Sequence, residues 1–274
     1  MSLLVMDAGN SRLKWALVRE PYRRNQPFSA QGAMELTRIQ GRRSPLRALF
    51  RALVTSGLHS RVHICNVAGS EIDRLLRSGA EHAGVTQISF ARSAAEACGV
   101  RNAYREAWRL GTDRWVALIG AHHEHPNMDL CLVGIGTALT IDLLDASGRH
   151  VGGHIIPGPR LMIESLLQRT AGIQRRAGGR SVLDHFASDG HGGSLLPLFA
   201  HDTRTGLVAG ARHACAAAIE HARREAGRQL GRRPRLILAG GAADVIAPLL
   251  TSSHRREDDL ILRGMAVLAS TAAR

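Results

Sequence analysis

Asp7, Gly9, Asn10, Ser11 and Lys14 stand close together near the start of the chain, in the run Leu3-Leu4-Val5-Met6-Asp7-Ala8-Gly9-Asn10-Ser11-Arg12-Leu13-Lys14-Trp15-Ala16-Leu17-Val18. A Gly-Asn-Ser bend offers inward-pointing backbone N–H groups, an amide and a hydroxyl. Lys14 adds a cation, which completes the donor set of a phosphate site. Asp7 would repel phosphate, so its presence points to a metal ion or the waters around one. The chain carries 35 arginines and this single lysine. A compact ammonium on a flexible stem is not exchanged for a planar fork without changing the geometry.

Two later stretches carry related chemistry. Tyr104 precedes Gly111-Thr112-Asp113-Arg114, which opens onto an apolar helix. Thr112 or Asp113 would serve there as an N-cap, or Asp113 is a carboxylate held at a helix start with Arg114 beside it for an anionic group. The run Leu132 to Asp142 then repeats the first: Gly136 falls over Gly9, Thr137 over Asn10 and Gly134 over Asp7. A strand–turn–strand unit in each half predicts a duplicated architecture, with two lobes presenting both turns to one cleft. Near the end, Leu236-Ile237-Leu238-Ala239-Gly240-Gly241 reads as a strand closing on a double glycine, which admits a flat ligand or a close backbone approach.

The elements that must position these residues alternate as in an α/β fold. Apolar runs on both sides of the Gly-Asn-Ser bend predict two strands joined by a tight turn. Helices are predicted over 46–58, 71–83, 160–169, 206–230 and 259–273, and strands over 61–67, 86–90 and 151–156. Asn66 at a strand end faces a site or caps a turn. Residues 19–45 show no period that places a strand, and 170–202 read as a Gly- and His-rich loop. His122-His123-Glu124-His125 invites a metal, but adjacent ligands cannot all face one ion, so it reads as a solvated loop before Pro126.

At 274 residues, with 45% hydrophobic and 22% charged side chains, the chain has room for one large domain or two smaller lobes. A net charge of +13 favours anionic partners. The arginines are spread singly and in pairs, such as Arg23-Arg24 and Arg42-Arg43, and aromatic residues make up only 4%. That distribution argues against nucleic acid as the main partner and for small anions. Cys65, Cys98, Cys131 and Cys215 lack metal-ligand spacing and are expected to be free thiols. No signal-like segment or membrane-length apolar run is present, so a cytoplasmic protein with no membrane partner is expected.

Taken in order, Asp7-x-Gly9-Asn10-Ser11-x-x-Lys14, Tyr104 with Gly111-Thr112-Asp113-Arg114, Gly136-Thr137-Ala138-x-Thr140 and Gly240-Gly241 resemble type III pantothenate kinase, of the acetate kinase/hsp70/actin-like ATPase superfamily. The resemblance implies an α/β, two-lobed, actin-like ATPase (ribonuclease H-like) duplicated fold with its active-site cleft between the lobes. Residues 1–121 would form the N-terminal lobe and 122–274 the C-terminal lobe. The implied activity is ATP-dependent phosphorylation of pantothenate to 4′-phosphopantothenate, the first step of coenzyme A biosynthesis, by a homodimer.

Under that resemblance Asp7, Ala8, Gly9, Asn10, Ser11, Arg12, Leu13 and Lys14 bind the ATP phosphates, with Asp7 positioning Mg2+ indirectly. Thr137 contacts ATP from the opposite lobe, and Gly240-Gly241 lies by the nucleoside. Tyr104, Gly111, Thr112, Asp113 and Arg114 line the pantothenate site and Thr203 completes it. Asp113 is the base for the primary hydroxyl, and Arg114 holds an anionic part of the substrate. One departure stands out: Gly134 replaces the family's usual Asp, which binds an activating potassium or ammonium ion. That cation is then held by carbonyls, held weakly, or not needed. Two other readings remain at this level: a kinase of the superfamily for another small hydroxylated substrate, and a weakly active or non-catalytic regulatory protein of the same fold.

Overall fold

The computed structural model describes residues 2–39, 44–55, 61–179, 181–183 and 197–272. Arg42-Arg43, the end of the helix predicted to reach residue 58, and much of the Gly- and His-rich stretch lie outside these. The chain groups into two compact units, one of residues 1–128, 146–151 and 259–274, the other of 129–145 and 152–258.

In the first unit, β1 (Ser2–Ala8), β2 (Arg12–Arg19), β3 (Ala30–Glu35), β4 (Arg61–Asn66) and β5 (Gln87–Phe90) form one sheet in the order β3-β2-β1-β4-β5. The β1–β2 and β2–β3 pairs are antiparallel, and β1–β4 and β4–β5 are parallel. Leu3, Leu4, Val5 and Met6 are all buried, so β1 is covered on both faces and reads as an unbroken apolar run. One face packs Leu4, Met6, Leu13 and Ile64 against Phe50 of α1 (Ser44–Thr55) and Leu76 of α2 (Ser70–His82). β3 falls in the stretch where periodicity places nothing. Its Ala-Gln-Gly-Ala-Met-Glu is an edge strand with no fully buried residue, held by its pairing with β2. A short hairpin, β6 (Glu96–Ala97) and β7 (Val100–Arg101), precedes α3 (Thr112–Glu124).

The second unit repeats the sheet. β8 (Leu130–Ile135), β9 (Ala138–Leu144), β10 (His150–Pro157), β11 (Arg235–Ala239) and β12 (His254–Arg256) lie in the order β10-β9-β8-β11-β12. β8–β9 is antiparallel, while β8–β11 and β11–β12 are parallel, the same pattern as in the first sheet. α4 (Pro159–Arg169), α5 (Ala171–Arg176), α6 (Thr203–Leu230) and α7 (Ala243–Ile246) accompany it. Cys131, Val133, Ile135, Leu139 and Ile141 pack against Cys215 and Ile219 of α6. α6 begins three residues before the predicted start because Asp202 caps it. The Asp202 carboxylate accepts from the Thr205 N–H at 2.9 Å and the Thr205 hydroxyl at 2.7 Å. Gly231, at φ 70°, ends the helix in the left-handed conformation.

The division differs from a single cut after residue 121, because the last helix, α8 (Leu260–Ala272), returns to the first unit and packs on α3. Two glycines set that crossing. A Cβ on Gly120 would lie 2.2 Å from the Leu260 carbonyl oxygen, and one on Gly264 would lie 2.0 Å from that of Val116. Only backbones bare of side chains can approach so closely. α3 also extends through His122, His123 and Glu124, which corrects the solvated-loop reading of that run. The buried Glu124 carboxylate accepts from the Tyr22 hydroxyl at 2.8 Å, the Asn25 N–H at 2.9 Å and Arg263 Nη1 at 3.4 Å. Four cysteines are free: Cys65, Cys131 and Cys215 are buried and Cys98 is half-buried. Among the described residues, no helix is long and apolar enough to cross a membrane.

Candidate active site

The β1–β2 hairpin sets Asp7 directly opposite Lys14. Its turn is closed by the Gly9 N–H donating to the Arg12 carbonyl at 3.0 Å, and the Leu36 N–H ties down the Ser11 carbonyl at 2.9 Å. Asn10, Ser11 and Arg12 are exposed at the tip, Lys14 is half-buried, and Asp7 is 9% exposed. Burial pushes the Asp7 carboxyl up to about 7, with Lys14 pulling it down and Asp113 pushing it further up. On the parallel neighbour β4, Cys65 is the register partner of Asp7. Its thiol is raised by burial and then by the charges of Asp7 and Asp113. Asp7 and Lys14 therefore face each other at the carboxyl end of β1, within the electrostatic reach of Asp113.

Asp113 sits in the first turn of α3. The cap position is Gly111, and no side chain caps the helix, so neither Thr112 nor Asp113 takes that role. Asp113 Oδ1 accepts from the Arg114 N–H at 2.9 Å. It also lies 2.8 Å from where a Cβ on Gly111 would stand, so glycine there leaves room for the carboxylate. The buried Arg114 donates from Nη1 to the Tyr104 hydroxyl at 3.2 Å, with its guanidinium 5.9 Å from the ring centroid. Tyr104 in turn stacks on buried His150, with centroids 6.1 Å apart and planes at 13°.

In the second unit, the two-residue turn Gly136-Thr137 joins β8 to β9, one residue shorter than its counterpart, with the Gly136 N–H donating to the Ala138 carbonyl at 2.9 Å. Thr137 is exposed, and its carbonyl accepts from the Gly158 N–H at 2.9 Å. Gly134 pairs with Thr140, whose Oγ1 lies 2.8 Å from where a Cβ on residue 134 would stand. Gly240, at φ 100°, brings its backbone onto Ile135, where a Cβ would be 2.4 Å from the carbonyl oxygen. The close backbone approach explains that glycine. Thr203 opens α6 and lines an apolar cavity of about 420 Å3 with Met162, Ile163, Leu166 and Leu207.

A family profile described as type III pantothenate kinase matches residues 3–225. The chain belongs to the type III pantothenate kinase family. It is 38% identical over 276 residues to a type III pantothenate kinase of Burkholderia thailandensis, covering 98% of each chain. It is likewise 38% identical over 269 residues to one of Herminiimonas arsenicoxydans, covering 97% of each. Among solved structures, the chain resembles the activator of 2-hydroxyisocaproyl-CoA dehydratase from Clostridium difficile with bound ADPNP. That match has a TM-score of 0.54 at 14% identity and covers 99% of this chain and 94% of the other. It also resembles a ROK family glucokinase from Streptomyces griseus in complex with glucose and AMPPNP, with a TM-score of 0.52 at 11% identity, covering 97% and 98%. At these identities the structural likeness shows the fold: α/β, two-lobed and duplicated, of the actin-like ATPase and sugar kinase kind.

Within this type III pantothenate kinase family member, three residues around the site go beyond the motifs. Asn102 Oδ1 accepts from the Tyr104 N–H at 2.9 Å, and its Nδ2 donates to the Ala94 and Ala107 carbonyls at 3.2 Å each. An Asn two residues before the tyrosine was the available signal for such an Asx turn. His150 and Cys65 carry no such signal, because strand pairing and long-range packing bring them to the site. Asn66, which reads either way from sequence, is engaged in a turn: its Oδ1 accepts from the Ala68 N–H at 2.8 Å.

Proposed function

We propose that the chain transfers the γ-phosphoryl group of ATP to the primary hydroxyl of pantothenate, giving 4′-phosphopantothenate. The Asp7–Lys14 pairing within the electrostatic reach of Asp113, in a chain of this family, carries the reading. Incubating the pure protein with ATP, Mg2+ and pantothenate and following 4′-phosphopantothenate by mass spectrometry tests it. Absence of product across a K+ and NH4+ series would overturn it.

Mg2+ fits the residues present, because the buried Asp7 and the half-buried Asp113 offer the hard carboxylate oxygens that it prefers. When bound with the nucleotide, it would neutralise charge on the phosphates. Asp7 would help to hold that ion. Lys14 brings its ammonium to the phosphoryl oxygens, and the exposed Asn10–Arg12 tip offers further donors. Asp113 accepts the proton of the attacking hydroxyl. Arg114, steadied by Tyr104, holds the carboxylate of pantothenate and so fixes the hydroxyl for in-line attack. Thr112 and Gly111 complete this wall. Thr137 is a further ATP contact and Thr203 a further pantothenate contact in the same proposal.

The residues at 134 do not fit a carboxylate-held potassium or ammonium ion. Glycine supplies no side-chain oxygen, and Thr140 Oγ1 crowds the space beside it. Asp142 is buried on the same face of β9, but two residues further along, roughly 6.6 Å by strand rise. The proposed kinase is accordingly driven without that ion. A homodimer working in the cytoplasm completes the proposal, and the exposed Leu166 on the rim of the Thr203 cavity offers the dimer an apolar contact. Sedimentation equilibrium tests the dimer.

A further inference from the structure

A second cavity, of about 260 Å3, opens where the carboxyl ends of β4 and β5 meet the start of α2. Asn66, Asp73, Arg74, Arg77, Phe90 and Arg92 line it. The Arg77 guanidinium lies 5.2 Å from the centroid of the Phe90 ring, a contact that steadies its fork. Among the described residues, none of the three arginines forms an ion pair. The lone carboxylate in the lining, Asp73, accepts from Asn66 Nδ2 at 2.7 Å. The proposed transfer chemistry uses none of these arginines.

The place in the fold favours a ligand. Asn66 is the register partner of Ala8, next to Asp7, and the Val67 N–H donates to the Ala8 carbonyl at 3.0 Å. In open α/β sheets, ligands collect outside the carboxyl ends of parallel strands. Three guanidinium groups, each a planar fork, match the several oxygens of a phosphate better than the two of a carboxylate. The cavity volume, below the roughly 300–1,000 Å3 of drug-sized pockets, suits a group of phosphate size.

We propose that this cavity is a second anion site, which takes the phosphate group of a small phosphorylated molecule or the free ion. The proposal goes beyond the kinase reading and does not rest on it.

Calorimetric titration of the Lys14→Ala protein with inorganic phosphate and with glycerol 3-phosphate tests the site without a contribution from the first turn. The same titration of the natural protein, saturated with a non-hydrolysable ATP analogue, guards against misfolding of that variant. One saturable site is expected, with Kd rising about tenfold in Arg77→Gln and again in Arg92→Gln. Arg77→Lys, which keeps the charge and loses the fork, is expected to weaken binding as well. Tighter glycerol 3-phosphate than phosphate assigns an ester, and the reverse assigns the free ion. Undiminished binding in folded Arg77→Gln and Arg92→Gln proteins would overturn the site. So would a loss confined to single-stranded DNA binding, which would make the patch a nucleic-acid surface. Arg92→Gln is expected to keep its pantothenate turnover, so failure here and failure of the kinase reading remain distinct.

Discussion

Lys14, the only lysine of the chain, stands as the register partner of Asp7, a carboxyl that burial holds near neutrality. The pairing places a flexible ammonium next to the carboxylate proposed to orient Mg2+. Lys14→Ala is expected to lower kcat/KM for ATP by about 100- to 1,000-fold, the usual loss for one preorganised charge donor. Lys14→Arg is expected to recover little of it, because the planar fork does not fit a point-charge site. Steady-state kinetics on both variants checks this, and near-natural rates in Lys14→Arg would remove the geometric argument.

Asp113→Asn removes the proposed proton acceptor and keeps the shape. Turnover is expected to fall by about 100- to 10,000-fold, while ATP still binds. Measuring nucleotide affinity by calorimetry separates the two effects. Equal losses of binding and turnover would assign Asp113 to ATP instead.

Asp7 works against stability, since its ionised form is buried beside Asp113. Asp7→Asn is therefore expected to stabilise the nucleotide-free protein at pH 8 by roughly 1–3 kcal/mol while abolishing activity. Chemical denaturation of both proteins decides the sign. A destabilised Asp7→Asn would mean that the Lys14 attraction outweighs the burial cost.

The first hairpin and its repeat are legible because both signals are local: apolar runs on either side of a Gly-rich turn. The boundaries of α6 are half-legible, since the Asp202 cap precedes a Thr-Arg-Thr run without apolar period. β3 is not legible, because an edge strand of Ala, Gln, Gly, Ala, Met and Glu takes its order from β2. The run His122–Glu124 is helical because Glu124 meets Tyr22, Asn25 and Arg263, all distant in sequence. His150 under Tyr104 and Cys65 beside Asp7 are invisible for the same reason. The residue types of the proposed chemistry could be read in advance, whereas the partners that hold them could not.

Gly134 makes a prediction about cations. With no side-chain oxygen at that position, exchanging K+ for a bulky organic cation is expected to change the rate by less than about twofold. Gly134→Asp combined with Thr140→Ala, which clears the 2.8 Å contact, is expected to introduce a K+ response. Thallium binding gives a readout independent of activity. Strong K+ activation of the natural protein would show that backbone or other oxygens hold the ion.

His63 gives the pH dependence of stability. It pairs with Ser89 across β4 and β5, with Nδ1 2.7 Å from Ser89 Oγ. Burial, aided by Arg61, lowers its pKa to about 4 from 6.5. The folded protein therefore keeps the ring neutral at a pH where the unfolded chain has already taken up a proton. Its contribution is fully present above pH 6.5 and is lost as pH falls from 6.5 towards 4. His63 is only partly buried, so solvent limits the loss to roughly 1–3 kcal/mol. His63→Gln removes the titration and keeps a polar partner for Ser89. Denaturation midpoints measured from pH 7.5 to 4.5 are expected to fall less steeply in the variant than in the natural protein. Other histidines and the carboxylates titrate in both, so the difference between the two curves isolates His63. Parallel curves would mean that the ring titrates in the fold as it does in the open chain.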